Sequence, residues 1–282
     1  GYDLGYRADV VLVAVAFLLS QWRPVAPSEK AQEITGRKLA IVAGSLVAAT
    51  SLAVLGPLAS VRPLDVPEPS DEVRVVAYNV RMGFGLNGRF EAKGVAELLA
   101  RENADVILLS ELDRGWLLNG GQDQLRIIAR MLDMHVSFGP AADPVWGDAI
   151  LSREPQTDVR NYQLEMFNAM TGAQVLVGTI ELNGNKIVFG STHLQNGPDG
   201  TNDTVGQAAR MAELMREQEG LAVFGGDLNT MPDSKAWSHL TATGFSDVLA
   251  SLRPAYTWPA DDPNEEIDHI FLSLGLAAQN PR

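Results

Sequence analysis

The 282-residue sequence contains no cysteine, which excludes thiolate chemistry, Cys-ligated zinc and a disulfide scaffold but assigns the protein to no compartment. Bases are scarce relative to acids: 22 Lys+Arg stand against 35 Asp+Glu, for a formal charge of −13. That balance argues against a broad polyanion-binding surface, because phosphate backbones are gripped mainly by Lys and Arg. Internal repeats and low-complexity stretches are lacking too, which removes the solenoid, collagenous and disordered classes. What is left is globular usage, 46% hydrophobic and 20% charged, enough for one large domain or two small ones.

The charge is unevenly spread. Residues 1–63 hold six bases and four acids, a net +2, and the remainder carries −15. Within the basic part, Leu39 to Ser60 runs 22 residues without a charge. At about 1.5 Å per residue this is long enough to cross a hydrocarbon core of about 30 Å, and it is expected to be a transmembrane helix. The shorter apolar run Val10 to Leu19 is a candidate first span, so residues 1–60 are read as a membrane anchor of one or two helices. The connecting Arg23, Lys30, Arg37 and Lys38 place that loop in the cytoplasm by the positive-inside rule. A protein of the cell membrane follows, with everything after Ser60 facing the extracytoplasmic side. Pro63, Pro67 and Pro69 then make residues 61–70 a short, stiff linker. The chain opens on Gly1 rather than Met, which is read as a fragment or a processed form.

From about Asp71 onward, strand and helix patterns alternate. Apolar runs at Val73–Tyr78, Val106–Leu109, Ala149–Leu151, Gln174–Leu182, Lys186–Thr192, Leu221–Phe224 and Ile267–Leu272 read as strands, with Asn183-Gly184 as a hairpin turn. Helical spacing marks Phe90–Asn103, Gln122–Met134, Thr204–Gln218 and a segment from about Ser234. Hairpins mixed with crossovers predict α/β layers with mixed sheets over residues 71–282 rather than a purely parallel sheet.

Five segments put polar residues at the C-terminal edges of apolar runs: Ala77–Arg81, Leu109–Asp113, Gly147–Arg153, Ser191–Asn196 and Gly225–Thr230. In layered α/β proteins such edges converge on one crevice. Asn79, Glu111, Asp227 and Asn229 offer oxygen ligands only, which favours a hard cation, Mg²⁺ or Mn²⁺. A carboxylate there can also take the proton of an attacking water, while Asn and His donate hydrogen bonds to developing negative charge. Asp227 and Asn229 alternate on extended backbone and so point the same way, and Gly225-Gly226 lets the backbone approach a ligand closely.

The ordered set YNVRMG, LLSELD, GDAILSR, STHLQN, GGDLNTMPDS, GFSDVL, YTWP and IDHIF resembles the endonuclease/exonuclease/phosphatase family, the fold of pancreatic deoxyribonuclease, over about Asp71 to Leu274. The resemblance implies a four-layer sandwich of two mixed β-sheets packed face to face with helices outside. It implies a Mg²⁺-dependent phosphodiesterase or phosphatase that attacks phosphorus with water. It makes Asn79 and Glu111 metal and water ligands, with Asp227 beside the metal to position or deprotonate the attacking water. Asn229 would orient that water or bind phosphate, His193 would hydrogen-bond a phosphate oxygen, and Arg81 and Asn196 would contact the phosphate. Asp247 matches the carboxylate that orients a second catalytic histidine, and Asp268 lies in the penultimate strand motif beside the site.

Three departures stand out. The family's closing Ser-Asp-His-Xaa-Pro motif does not occur before Arg282, which is read as C-terminal truncation, with Asp268-His269 a weak substitute. Asp148 stands where Asn is common. Asp113 stands where family nucleases often carry Arg. Together with the acidity and the membrane tether, these point to a membrane-anchored phosphodiesterase acting on a phospholipid or small phosphoester. An extracytoplasmic nuclease, or a binding domain that kept the fold without turnover, are the alternatives.

Overall fold

Val106-Ile107-Leu108-Leu109 is apolar at every position, the pattern of a strand covered on both faces, and all four side chains are fully buried. They form the heart of β2 (Val106–Asp113) in the computed structural model, which describes residues 38, 40–48, 62–66, 72–116, 119–166, 172–196 and 203–282. The chain divides into two units, residues 1–62 with 117–122, and residues 63–116 with 123–282. In the first, residues 40–48 are helical. Among the described residues no helix is long and apolar enough to cross a membrane. The Val10–Leu19 run and residues 49–60 of the expected span lie outside the described residues.

The second unit holds two mixed sheets. β1 (Val75–Asn79), β2, β3 (His135–Asp143) and β4 (Trp146–Ser152) form a four-stranded sheet in the order β1-β2-β4-β3, with β1 parallel to β2 and the other pairs antiparallel. The second sheet adds β5 (Gln156–Leu164), β6 (Ala173–Leu182), β7 (Asn185–His193), β8 (Leu221–Asp227), β9 (Ser246–Asp247) and β10 (Asp268–Leu272). Its order is β5-β6-β7-β8-β10-β9, parallel only between β7 and β8. The mixed sheets expected from the sequence are therefore present.

Strand alternation divides the core into layers. Val106, Leu108 and Ile150 of the first sheet meet Leu176, Ile180, Phe189 and Val223 of the second, which closes the sheets face to face. Helices α1 (Ala92–Glu102) and α2 (Gln124–Leu132) pack together outside the first sheet. On the far side, Ala208, Met211 and Met215 of α3 (Asp203–Arg216) and Trp237 and Leu240 of α4 (Lys235–Thr241) cover Val175, Phe224 and Phe271. Asp123 caps α2 by accepting from Arg126 N–H, and Ser234 caps α4 by accepting from Trp237 N–H.

The sequence pattern missed β3 and β5. Both are edge strands, and β5 (QTDVRNYQL) is largely exposed while β3 contains Gly139-Pro140, so neither carries the alternating apolar signal of a covered strand.

Candidate active site

The site lies where β1, β2, β7 and β8 end together. Asn79 is in register with Ser110, and His193 with Asp227. At Ser110-Glu111 the pairing of β2 with β4 slips between Leu109 and Leu112, and Glu111 adopts φ 56°. This bulge turns the Glu111 side chain, which regular alternation would aim elsewhere, into the crevice. Gly226 precedes Asp227 with φ 138°, and a Cβ there would stand 1.9 Å from the Thr192 carbonyl oxygen, so only glycine lets β8 lie this close to β7.

Asn79 Nδ2 donates to Glu111 Oε1 at 3.1 Å and to Asp227 Oδ2 at 2.9 Å, holding the two carboxylates toward each other. His193 Nε2 stands 3.8 Å from each of those same oxygens. Glu111, His193 and Asp227 thus present three ligand atoms within 4.8 Å of one another. Two facing carboxylates and an imidazole make a donor set that fits a divalent cation, whereas Asn79, expected as a metal ligand, turns its amide NH2 toward the carboxylates and its Oδ1 to Arg81 N–H, and so orients the ligands instead.

A second ring of contacts fixes the first. Asn229, at φ 44°, donates from Nδ2 to Leu194 O at 2.7 Å and lies 3.0 Å from His193 Nε2, while its N–H donates to Asp227 Oδ1 at 3.0 Å. Asn196 Nδ2 donates to Asn229 Oδ1 at 3.1 Å, and Thr204 Oγ1 to Asn196 Oδ1 at 2.8 Å. Gln195 Nε2 lies 3.0 Å from His193 Nδ1, and the Trp146 ring lies 5.9 Å from the imidazole, stacked in turn on Trp116. Ser110 Oγ donates to Thr192 O at 3.3 Å and accepts from Asp227 N–H at 3.4 Å, pinning the two sheets together beneath the carboxylates. Sequence reasoning passed over Ser110, Gln195 and Trp146; adjacency to Glu111, His193 and Gly147 was the only signal each carried.

Asp148 lies under Glu111, whose N–H donates to its Oδ1 at 3.3 Å, and Gln174 Nε2 donates to its Oδ2 at 2.6 Å. Burial pushes its pKa up to about 6, against the opposing pull of His193 and these hydrogen bonds. An acid raised in the folded state costs stability only when ionised. The cost is absent below the ordinary value of 3.8, grows toward about 6 and is complete above it. Asp148→Asn is therefore expected to gain about 2–3 kcal/mol at pH 8 in EDTA and almost nothing near pH 4, read as denaturation midpoints at the two pH values. Equal midpoints for both proteins at pH 8 would contradict the assignment.

The remaining sequence candidates divide. Asp268 pairs in register with Asp227, and burial followed by the Asp227 charge pushes its pKa up to about 7. Arg81, with φ 47°, is exposed and is tied to the site through its N–H, which donates to Asn79 Oδ1 at 2.8 Å. Asp247 lies apart from the Glu111–His193–Asp227 group, in a second buried cluster with Glu266 and His269. Arg253 bridges it, with Nη2 2.5 Å from Asp247 Oδ2 and Nε 2.8 Å from Glu266 Oε1. Burial alone would raise the Asp247 carboxyl, but the facing His269 ring, Leu249 N–H and Arg253 outweigh it and hold the pKa below its ordinary value. His269 pairs with Gly226, one residue out of step with Asp268 and Asp227, so its ring falls on the helix side of the sheet, 4.5 Å from Trp237. There its Nε2 lies 3.2 Å from Thr230 O and 3.0 Å from Glu266 O, bracing the loop that follows Asn229. Asp268-His269 does not substitute for a histidine in the crevice.

Paired strand ends, convergent carboxylates and a buried imidazole define a hydrolase-type site on a two-sheet α/β sandwich. Residues 76–282 match the model of the endonuclease/exonuclease/phosphatase family, and the chain belongs to that family. Its members are divalent-metal-dependent hydrolases acting on phosphoester bonds. Among solved structures the chain resembles a humanized TDP2 from D. rerio at 19% identity, covering 76% of this chain and 86% of that one with a TM-score of 0.58. A mannosyl-6-phosphatase from Bacteroides thetaiotaomicron matches at 18% identity over 72% and 86% of the two chains, TM-score 0.58. The human Nocturnin catalytic domain, solved with a bound sulfate anion, matches at 16% identity over 74% and 86%, TM-score 0.56. At these identities the structural likeness is one of fold.

Proposed function

We propose that this protein is a membrane-anchored, Mg²⁺- or Mn²⁺-dependent hydrolase that cleaves a phospholipid or small phosphoester by attack of water on phosphorus. The observation that carries the reading is the convergence of Glu111, Asp227, His193 and Asn79 at the ends of four strands. Glu111 and Asp227 would hold the cation, which when bound neutralises phosphate charge and polarises the P–O bond. Asp227 accepts the proton that the water loses as its oxygen bonds to phosphorus and the ester oxygen departs. His193 and Asn229 face the phosphoryl oxygens as hydrogen-bonding partners, with Asn196 holding Asn229 in place and Arg81 at the rim as a further phosphate contact.

The uncharged run from Leu39 to Ser60, its basic flank and the short proline linker support the tether, with the catalytic unit on the extracytoplasmic side. A net charge of −15 after residue 63 disfavours nucleic acid and leaves a lipid headgroup or small phosphoester as the substrate. The phosphate ester acted on by the mannosyl-6-phosphatase relative, as its name states, agrees with that class. The test is ³¹P NMR of phospholipid vesicles incubated with the full chain and Mg²⁺ or Mn²⁺. Release of a water-soluble phosphorylated headgroup is expected. Intact lipid alongside nicking of plasmid DNA that falls steeply with salt would overturn the substrate assignment.

A further inference from the structure

In this acidic chain, Arg114, Arg126 and Arg130 line one shallow groove of about 430 Å³ with Asp133 as its single acid. Arg126 and Arg130 stand one turn apart on the exposed face of α2, and Arg114 follows Asp113 at the end of β2. Arg114 is partly committed, 3.3 Å from Asp123 and stacked 5.0 Å over Phe138. The floor is apolar, made by Leu125, Ala129, Met134 and Phe138, with Val136 44% exposed at the rim. Basic groups over an apolar floor match the boundary between phosphate headgroups and acyl chains.

A second observation concerns where the chain enters this unit. Leu64 N–H donates to Met131 O at 2.7 Å, so the N-terminal end of this unit lies beside the end of α2, next to Arg130.

We propose that the groove between α2 and β3 is a docking surface for an anionic phospholipid leaflet. Arg126 and Arg130 engage headgroup phosphates, and Val136 with Phe138 enters the acyl boundary. Arg114 comes directly after β2, three residues beyond Glu111 in sequence. The inference rests on the membrane reading above.

Because the chain has no cysteine, a single Val136→Cys takes one environment-sensitive fluorophore, with Glu181→Cys on the other sheet as the control position. The full chain is reconstituted into vesicles of neutral phosphatidylcholine or of phosphatidylcholine with one-fifth phosphatidylglycerol. The expected result is a blue-shifted emission at position 136, quenched by brominated lipid, in the anionic vesicles only, with position 181 unchanged. Arg126→Glu with Arg130→Glu is expected to weaken that docking by about 30-fold or more. Emission at 136 that ignores lipid charge or the arginine changes, in protein that still floats with vesicles, overturns the docking surface and leaves the proposed function standing. Failure to associate with either vesicle overturns both.

Discussion

Asp227→Asn is expected to slow phosphoester hydrolysis by about 10²–10⁴-fold at saturating metal while leaving the protein folded. The carboxylate is 5% exposed and serves three partners at once: Asn79 Nδ2, Asn229 N–H and the facing His193 Nε2. Asn keeps the shape and the acceptor for Asn229 but turns an amide donor toward Asn79, and it can no longer take the proton from water. The loss should therefore fall on kcat, with the thermal midpoint and the near-ultraviolet spectrum close to wild type. Wild-type kcat in a folded Asp227→Asn protein would remove Asp227 from the mechanism.

His193→Ala is expected to lower kcat by about 10²–10³-fold with a smaller change in KM. The imidazole sits against Trp146, between Gln195 and Asn229, and its Nε2 is equidistant from the Glu111 and Asp227 oxygens. A group so placed interacts with phosphoryl oxygens more strongly as charge builds up on them than in the ground state, which is why the deficit belongs in kcat. Steady-state kinetics on a soluble phosphodiester separates the two parameters. A pure KM effect would make His193 a substrate-binding residue instead.

The parts of the site legible in the sequence were those written at strand ends. Val106 to Leu109 announced a covered strand, and the polar residues that follow it had to emerge at an edge; the same reasoning applied to Thr192-His193 and Gly226-Asp227. Glu111 was legible as a residue but not as a conformation. Its left-handed backbone depends on the pairing of β2 with β4, which no local pattern encodes. Ser110 was invisible for a similar reason, since its partners Thr192 and Asp227 lie 82 and 117 residues away. Asp247 read as a site carboxylate because of its motif. Arg253 and Glu266, which carry no recognisable signal, show it instead as part of a buried ion cluster. The edge strands β3 and β5 escaped because an uncovered strand has little reason to alternate. The cluster around Arg253 also qualifies the reading of acidity: some of the excess carboxylates hold the fold, and others converge on the crevice.

The central claim is that Glu111 and Asp227 hold a divalent cation that hydrolysis requires, and the most direct measurement is the rate of phosphoester hydrolysis against free Mg²⁺ or Mn²⁺ for the wild-type chain and Glu111→Gln. Wild type is predicted to be silent in EDTA and to saturate as metal is restored. Glu111→Gln is predicted to need at least about tenfold more metal to reach a lower plateau. Hydrolysis that proceeds equally in EDTA, or metal curves that coincide for the two proteins, would contradict the account.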